Sequence, residues 1–142
     1  MSLITSSSNI KVHVIKFNEG EDIFEQIRII SKNNNIRAGF FFGLGSFKKL
    51  KLAYFNQQDK KYEEIEINKE VEITSLVGNI SLESNEIFIH CHVNVGDRDS
   101  KVYGGHLLPE SITFAGEAII IEILDTNLER RYDPKTGLRS FK

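Results

Sequence analysis

The chain has 142 residues, 40% of them apolar and 27% charged, which is the size and composition of one globular domain and far from the low-hydrophobicity signature of a disordered chain. Eighteen basic against twenty acidic residues leave a formal charge of −2, so no strong positive field draws in nucleic acid or anionic lipid. The longest apolar runs, such as Ala118 to Leu124, fall far short of the roughly 20 residues a membrane-spanning helix needs.

The single cysteine, Cys91, has no partner for an internal disulfide, and Met1 to Ser8 lacks both the basic start and the apolar core of a secretory signal. A cytoplasmic protein that is neither exported nor embedded in a membrane is therefore expected. Residues 1–9 are read as a flexible N-terminus and residues 10–142 as a single domain.

Ile10 to Phe17 alternates apolar and polar residues and predicts a first strand, with Val12, Val14 and Ile10 on one face. His13 then points the other way and is assigned to the surface. Between Asn18 and Asn35 the period changes. Ile23, Ile27 and Ile30, with Phe24 beside them, recur at helical spacing behind acidic Glu19, Glu21 and Asp22, and Asn33 to Asn35 supply the amides that close a helix.

Almost everything after Ile36 reads as strand. Ile36 to Ser46 is a buried apolar strand whose Gly43-Leu44-Gly45-Ser46 end bends or admits another backbone, and Phe47 to Asn56, Lys61 to Ile67 and Val71 to Leu82 follow. Ile87, Ile89, Cys91, Val93 and Val95 alternate strictly with Phe88, His90, His92 and Asn94. A turn at Gly96 to Ser100 leads into Val102 to Leu108, and Ile112 to Leu124 is a last long strand. The polar tail from Glu129 to Pro134 is expected over the surface or a neighbouring subunit, with Arg130 and Arg131 as surface or subunit-contact residues. The predicted fold class is α+β: a strongly curved, mainly antiparallel sheet or partial barrel with one main N-terminal helix.

Strand alternation puts His90 and His92 on one face, close enough to converge on one ion. If the hairpin turn centres on Arg98 and Asp99, the residue opposite His92 is about position 105, so His106 lies next to the pair, and a bulge at Gly104-Gly105 rotates it onto the same face. Three imidazoles with a free fourth position are a zinc arrangement of the open, catalytic type, although other divalent metals suit the same ligands. The competing reading is a plain polar face.

Cys91, between the two histidines, points to the opposite apolar face as a core residue. Phe88 and Asn94 share the histidine face and are candidate pocket residues. Arg37 and Ser46 bracket the glycine-containing strand and are candidates to offer a cation and a hydroxyl to an anionic ligand, against ordinary solvation. Glu117, a carboxylate amid apolar residues, is a candidate catalytic proton acceptor near the metal, against an exposed edge position.

The order of these motifs resembles the plants-and-prokaryotes conserved (PPC) domain, in its prokaryotic stand-alone form. The resemblance runs through Gly20-Glu21-Asp22, Ile36-Arg37-Ala38-Gly39, Gly43-Leu44-Gly45-Ser46, Ile73 to Leu76 with Gly78 to Leu82, His90-Cys91-His92, and Gly104-Gly105-His106-Leu107. It implies a compact antiparallel-sheet domain, a homotrimer, and a metal site at His90, His92 and His106. Plant members carry Arg-Gly-Arg-Pro arms that enter the minor groove of DNA. This sequence has no such arm. Two functions are therefore compatible with the sequence: a metal-dependent small-molecule enzyme or binder, and a regulatory or assembly module that recruits DNA or proteins, with DNA binding by this chain alone not expected.

Overall fold

The computed structural model describes residues 3–142. The part of the flexible N-terminus expected at Met1 and Ser2 lies outside the described residues. Residues 3–9 form neither helix nor strand, and Asn9 accepts a hydrogen bond from the Leu124 amide at 3.0 Å.

One helix and nine strands make up the described residues: β1 Ile10–Phe17, α1 Ile23–Asn33, β2 Gly39–Asn56, β3 Lys61–Ile67, β4 Val71–Glu83, β5 Glu86–Gly96, β6 Val102–Leu107, β7 Ile112–Ile123, β8 Glu129–Asp133 and β9 Leu138–Phe141. All nine strands belong to one sheet in the order β1-β7-β2-β6-β5-β4-β8-β9, with β3 paired to β2. A further β2–β4 pairing closes β2, β6, β5 and β4 into a ring. Among the described residues only the β4–β8 pairing is parallel, so the α+β class with a strongly curved, mainly antiparallel sheet holds.

Helix α1 starts where Asp22 caps it, its carboxylate accepting the Glu25 amide at 3.2 Å, and ends before Asn35, which takes a positive φ of 53°. Ile23 and Ile27 enter a core with Phe17, Ile36, Phe41 and Leu76. Each such side chain contributes about 1.5–3 kcal/mol on burial.

Two expected strands, ending at Ser46 and starting at Phe47, are one 18-residue strand, β2. The glycine segment does not end the strand; it turns it. Gly45 has φ +144°, and a Cβ there would lie 2.3 Å from the Ala115 carbonyl oxygen, so only glycine lets β2 bend against β7 while staying paired.

The face assignment of β1 is reversed. Ile10, Val12 and Val14 are exposed, whereas Phe17 is buried and His13 faces inward. Both faces of the strand carry apolar side chains, Ile10, Val12 and Val14 on one and Ile15 and Phe17 on the other, and the large Phe17 ring fixes which set meets the core. His13 is therefore not a surface residue. Its Nε2 lies 2.7 Å from a carboxylate oxygen of the buried Glu122, which supplies the partner an inward imidazole requires.

Candidate metal centre

Strand β5 alternates buried Ile89, Cys91, Val93 and Val95 with more open Phe88, His90, His92 and Asn94. The core set anchors the strand, so both histidines must emerge on the opposite face. Strand β6 returns with His106 directly opposite His92, Gly105 opposite Val93 and Gly104 opposite Asn94.

This ladder is continuous, which corrects the expected bulge at Gly104-Gly105. The loop centres on Asp99, half a residue later than expected, and directly opposed residues share a face without any rotation. The glycines serve another purpose. A Cβ on Gly104 would sit 2.1 Å from Asn94 Oδ1, so the glycine makes room for that amide.

The three histidines form a cluster whose ligand atoms all lie within 4.8 Å of one another. Nε2 of His90 and Nε2 of His92 are 3.2 Å apart. Two nitrogens bound to one tetrahedral zinc at 2.0–2.1 Å would be separated by about 3.3 Å, so the spacing suits the ion. His106 Nδ1 is buried and has no hydrogen-bond partner among the described residues, an unsatisfied ring nitrogen of the kind that marks an unfilled role.

Burial, the Arg130 charge and His92 together push His90 down to about 4. Burial, His90 and His92 push His106 to about 4 as well. Both rings are therefore neutral at pH 7 and keep lone pairs for a cation. Cys91 lies on the core side, buried, with its thiol pushed up to about 12 by burial, so it offers no thiolate.

The cluster opens into a cavity of about 700 Å³ whose walls include Tyr54, Tyr62, Phe88, Leu138 and Phe141. Tyr62 packs on His106 with ring centres 5.1 Å apart. Among the described residues, no aspartate or glutamate lines the cavity.

Strands β8 and β9 close one side, and this overturns the expectation of a surface tail. Arg130 is 6% exposed and lines the cavity, whereas Arg131 is exposed as expected. The physical reason is the turn at Asp133–Gly137, which folds the tail into a hairpin, while the parallel β4–β8 pairing lays it beside β4. The turn residues Asp133-Pro134 and Gly137 were the signal in the sequence.

Of the other candidates, Phe88 lines the cavity with the histidines. Asn94 shares their face but lies beyond the cavity, over Gly104. Arg37 donates to Asn127 and Asn85 on another edge, at 3.0 and 2.7 Å. Ser46 borders a separate groove with Phe47 and Phe114. Glu117 is exposed on β7, across from Lys16 and Leu44, and is not among the cavity residues.

The curved sheet with its single helix defines a fold class, and the comparisons place the chain in a family of that fold. The chain matches the Plants and Prokaryotes Conserved (PCC) domain over residues 4–124 and belongs to that family. It is similar to a metal-containing protein from Archaeoglobus fulgidus, at 30% identity and a TM-score of 0.92, covering 100% of this chain and 99% of the other. A plant- and prokaryote-conserved protein from Pyrococcus horikoshii matches at 30% identity and 0.90, over 99% and 97%. A candidate DNA-binding protein from Bacteroides thetaiotaomicron matches at 27% identity and 0.86, over 97% and 94%. Among curated proteins, bifunctional protein GlmU of Synechococcus sp. (strain JA-3-3Ab) is 23% identical over 133 residues, 92% of this chain, and the chain spans 20% of that relative's length.

Proposed function

We propose that the protein holds one divalent metal, zinc, through His90, His92 and His106, and that the fourth position of the ion faces a cavity that receives a small molecule. The observation that carries this reading is the convergence of three imidazoles, free of any thiolate or carboxylate, on a roomy and largely aromatic cavity. The metal-containing relative from Archaeoglobus fulgidus supports it. When bound, zinc supplies a Lewis acid that polarises a carbonyl or activates water. Phe88 and Tyr62 shape the space beside it, and burial keeps His90 and His106 neutral and ready to bind. Metal analysis of untagged protein purified without chelators tests the reading.

The functional form is a homotrimer in the cytoplasm. An apolar stripe supports self-association: Val14, Ile119, Phe42 and Val77, exposed except for the half-buried Ile119, stand opposite one another in turn across four strands, and the same row continues into His92 and His106. Val14 is 80% exposed in the single chain. A second copy on this face would cover that surface and border the histidines. No helix among the described residues is long and apolar enough to cross a membrane.

DNA binding is the second reading, favoured by the relative described as a candidate DNA-binding protein. It ranks below the metal reading because acidic residues outnumber basic ones and the chain has no arginine-rich arm.

A further inference from the structure

Arg130 is a buried cation with no carboxylate among its hydrogen-bond partners in the described residues. Its Nε donates to Ser81 Oγ at 2.9 Å, its Nη1 to the Arg139 carbonyl at 2.7 Å and its Nη2 to Asn79 Oδ1 at 2.8 Å. All three acceptors are neutral. A guanidinium has five N–H bonds and stays charged in proteins, so two remain without a partner among the described residues. Glu83, whose field reaches Arg130, is itself bonded to Arg139. The rings of Phe88 and Phe141, centred 5.4 and 4.0 Å from the guanidinium carbon, attract the cation but leave its charge uncancelled.

The position is as informative as the charge. Asn79, which accepts from Arg130, stands directly across from His90, and Ser81 directly across from Phe88, so the guanidinium is fixed over the ladder that carries the histidines. It lines the same cavity. A divalent ion on three neutral imidazoles beside a guanidinium, with no carboxylate in the walls, leaves the cavity strongly positive. Such a site is complete only with an anion.

We propose that Arg130 anchors the carboxylate of a small organic acid whose apolar body lies against Phe88 and Phe141 and whose other end reaches the histidine centre. The proposal names the ligand class of the metal site and so rests on that reading. The planar guanidinium fork matches a carboxylate through two parallel hydrogen bonds. Aromatic walls and the absence of lysine or a helix N-terminus from the lining favour a carboxylate with an apolar body over a free phosphate.

Isothermal titration of the zinc-loaded full chain with phenylacetate, its neutral counterpart 2-phenylethanol and inorganic phosphate tests this, with zinc content measured on each sample. The expected result is at least tenfold tighter binding of phenylacetate than of the alcohol or phosphate, and at least a tenfold loss in Arg130→Met at unchanged zinc content and circular dichroism. The wild-type comparison stands even if that variant does not fold. Equal binding of acid and alcohol, tighter binding of phosphate, or full retention of phenylacetate affinity in folded Arg130→Met would overturn the proposal. A wild type that cannot be loaded with zinc yet still prefers phenylacetate would remove the metal reading while supporting the role of Arg130.

Discussion

His92 and His106 stand directly opposite each other across the β5–β6 ladder, so backbone pairing puts the roots of two of the three candidate ligands side by side on one face. The loop that fixes this pairing is held by Asp97, whose carboxylate accepts the amides of Asp99 and Lys101, both at 2.9 Å, the Tyr103 hydroxyl at 3.1 Å and the Lys69 ammonium. The Lys69 bond, with the backbone amides and Tyr103, holds Asp97 well below the usual carboxylate range.

A pH dependence follows from that loop. A carboxyl whose folded pKa is depressed stabilises the fold above its unfolded value of about 3.9, and the contribution fades as pH falls toward the folded value. Asp97→Asn should therefore melt below wild type at pH 7, and the gap should shrink as the pH is lowered through 4 toward 2. Thermal unfolding of both proteins across this range checks it, and a gap that widens with acid would contradict the assigned role.

Gly78→Ala should destabilise the fold by about 1–3 kcal/mol, as overpacking in a tight core does. An added Cβ would lie 2.2 Å from the Phe41 ring and 2.6 Å from the His90 carbonyl oxygen, and the latter is backbone that cannot rotate away. Denaturant unfolding measures the loss. Because the displaced strand carries His90, weaker metal retention should accompany it.

The histidine pair was legible because strict alternation from Ile87 to Val95 admits one face for both rings, and a short hairpin brings the next histidine near. The register was missed by one residue, since the centre of a five-residue loop depends on side-chain bonds such as those of Asp97, which the sequence does not rank. His13 and Arg130 were missed for a different reason. Each is a polar residue made acceptable inside by a distant partner, Glu122 for one and Asn79 with Ser81 for the other, and no local pattern announces such pairing. The apolar face of β1 was likewise ambiguous, because each set of alternate residues mixes apolar side chains with a lysine.

Size exclusion with light scattering should give a trimer at micromolar concentration. Phe42→Glu, which places a charge in the exposed apolar stripe, should shift the mass toward the monomer while leaving the sheet intact by circular dichroism. A wild-type monomer at that concentration would contradict the assembly.

Fluorescence anisotropy with A·T-rich and mixed duplexes at two salt concentrations should give only weak binding near physiological salt, because a chain of net charge −2 releases few counterions on DNA. Sub-micromolar binding that weakens steeply with added salt would put the DNA reading first.

The most direct test is elemental analysis of the untagged protein purified without chelators, together with His90→Ala, His92→Ala, His106→Ala and Cys91→Ser. The account predicts about one divalent metal per wild-type chain, chiefly zinc, a loss of most of it in each histidine variant, and full retention in Cys91→Ser, whose thiol faces the core. A wild type without metal, or three histidine variants that all retain it, would contradict the central claim.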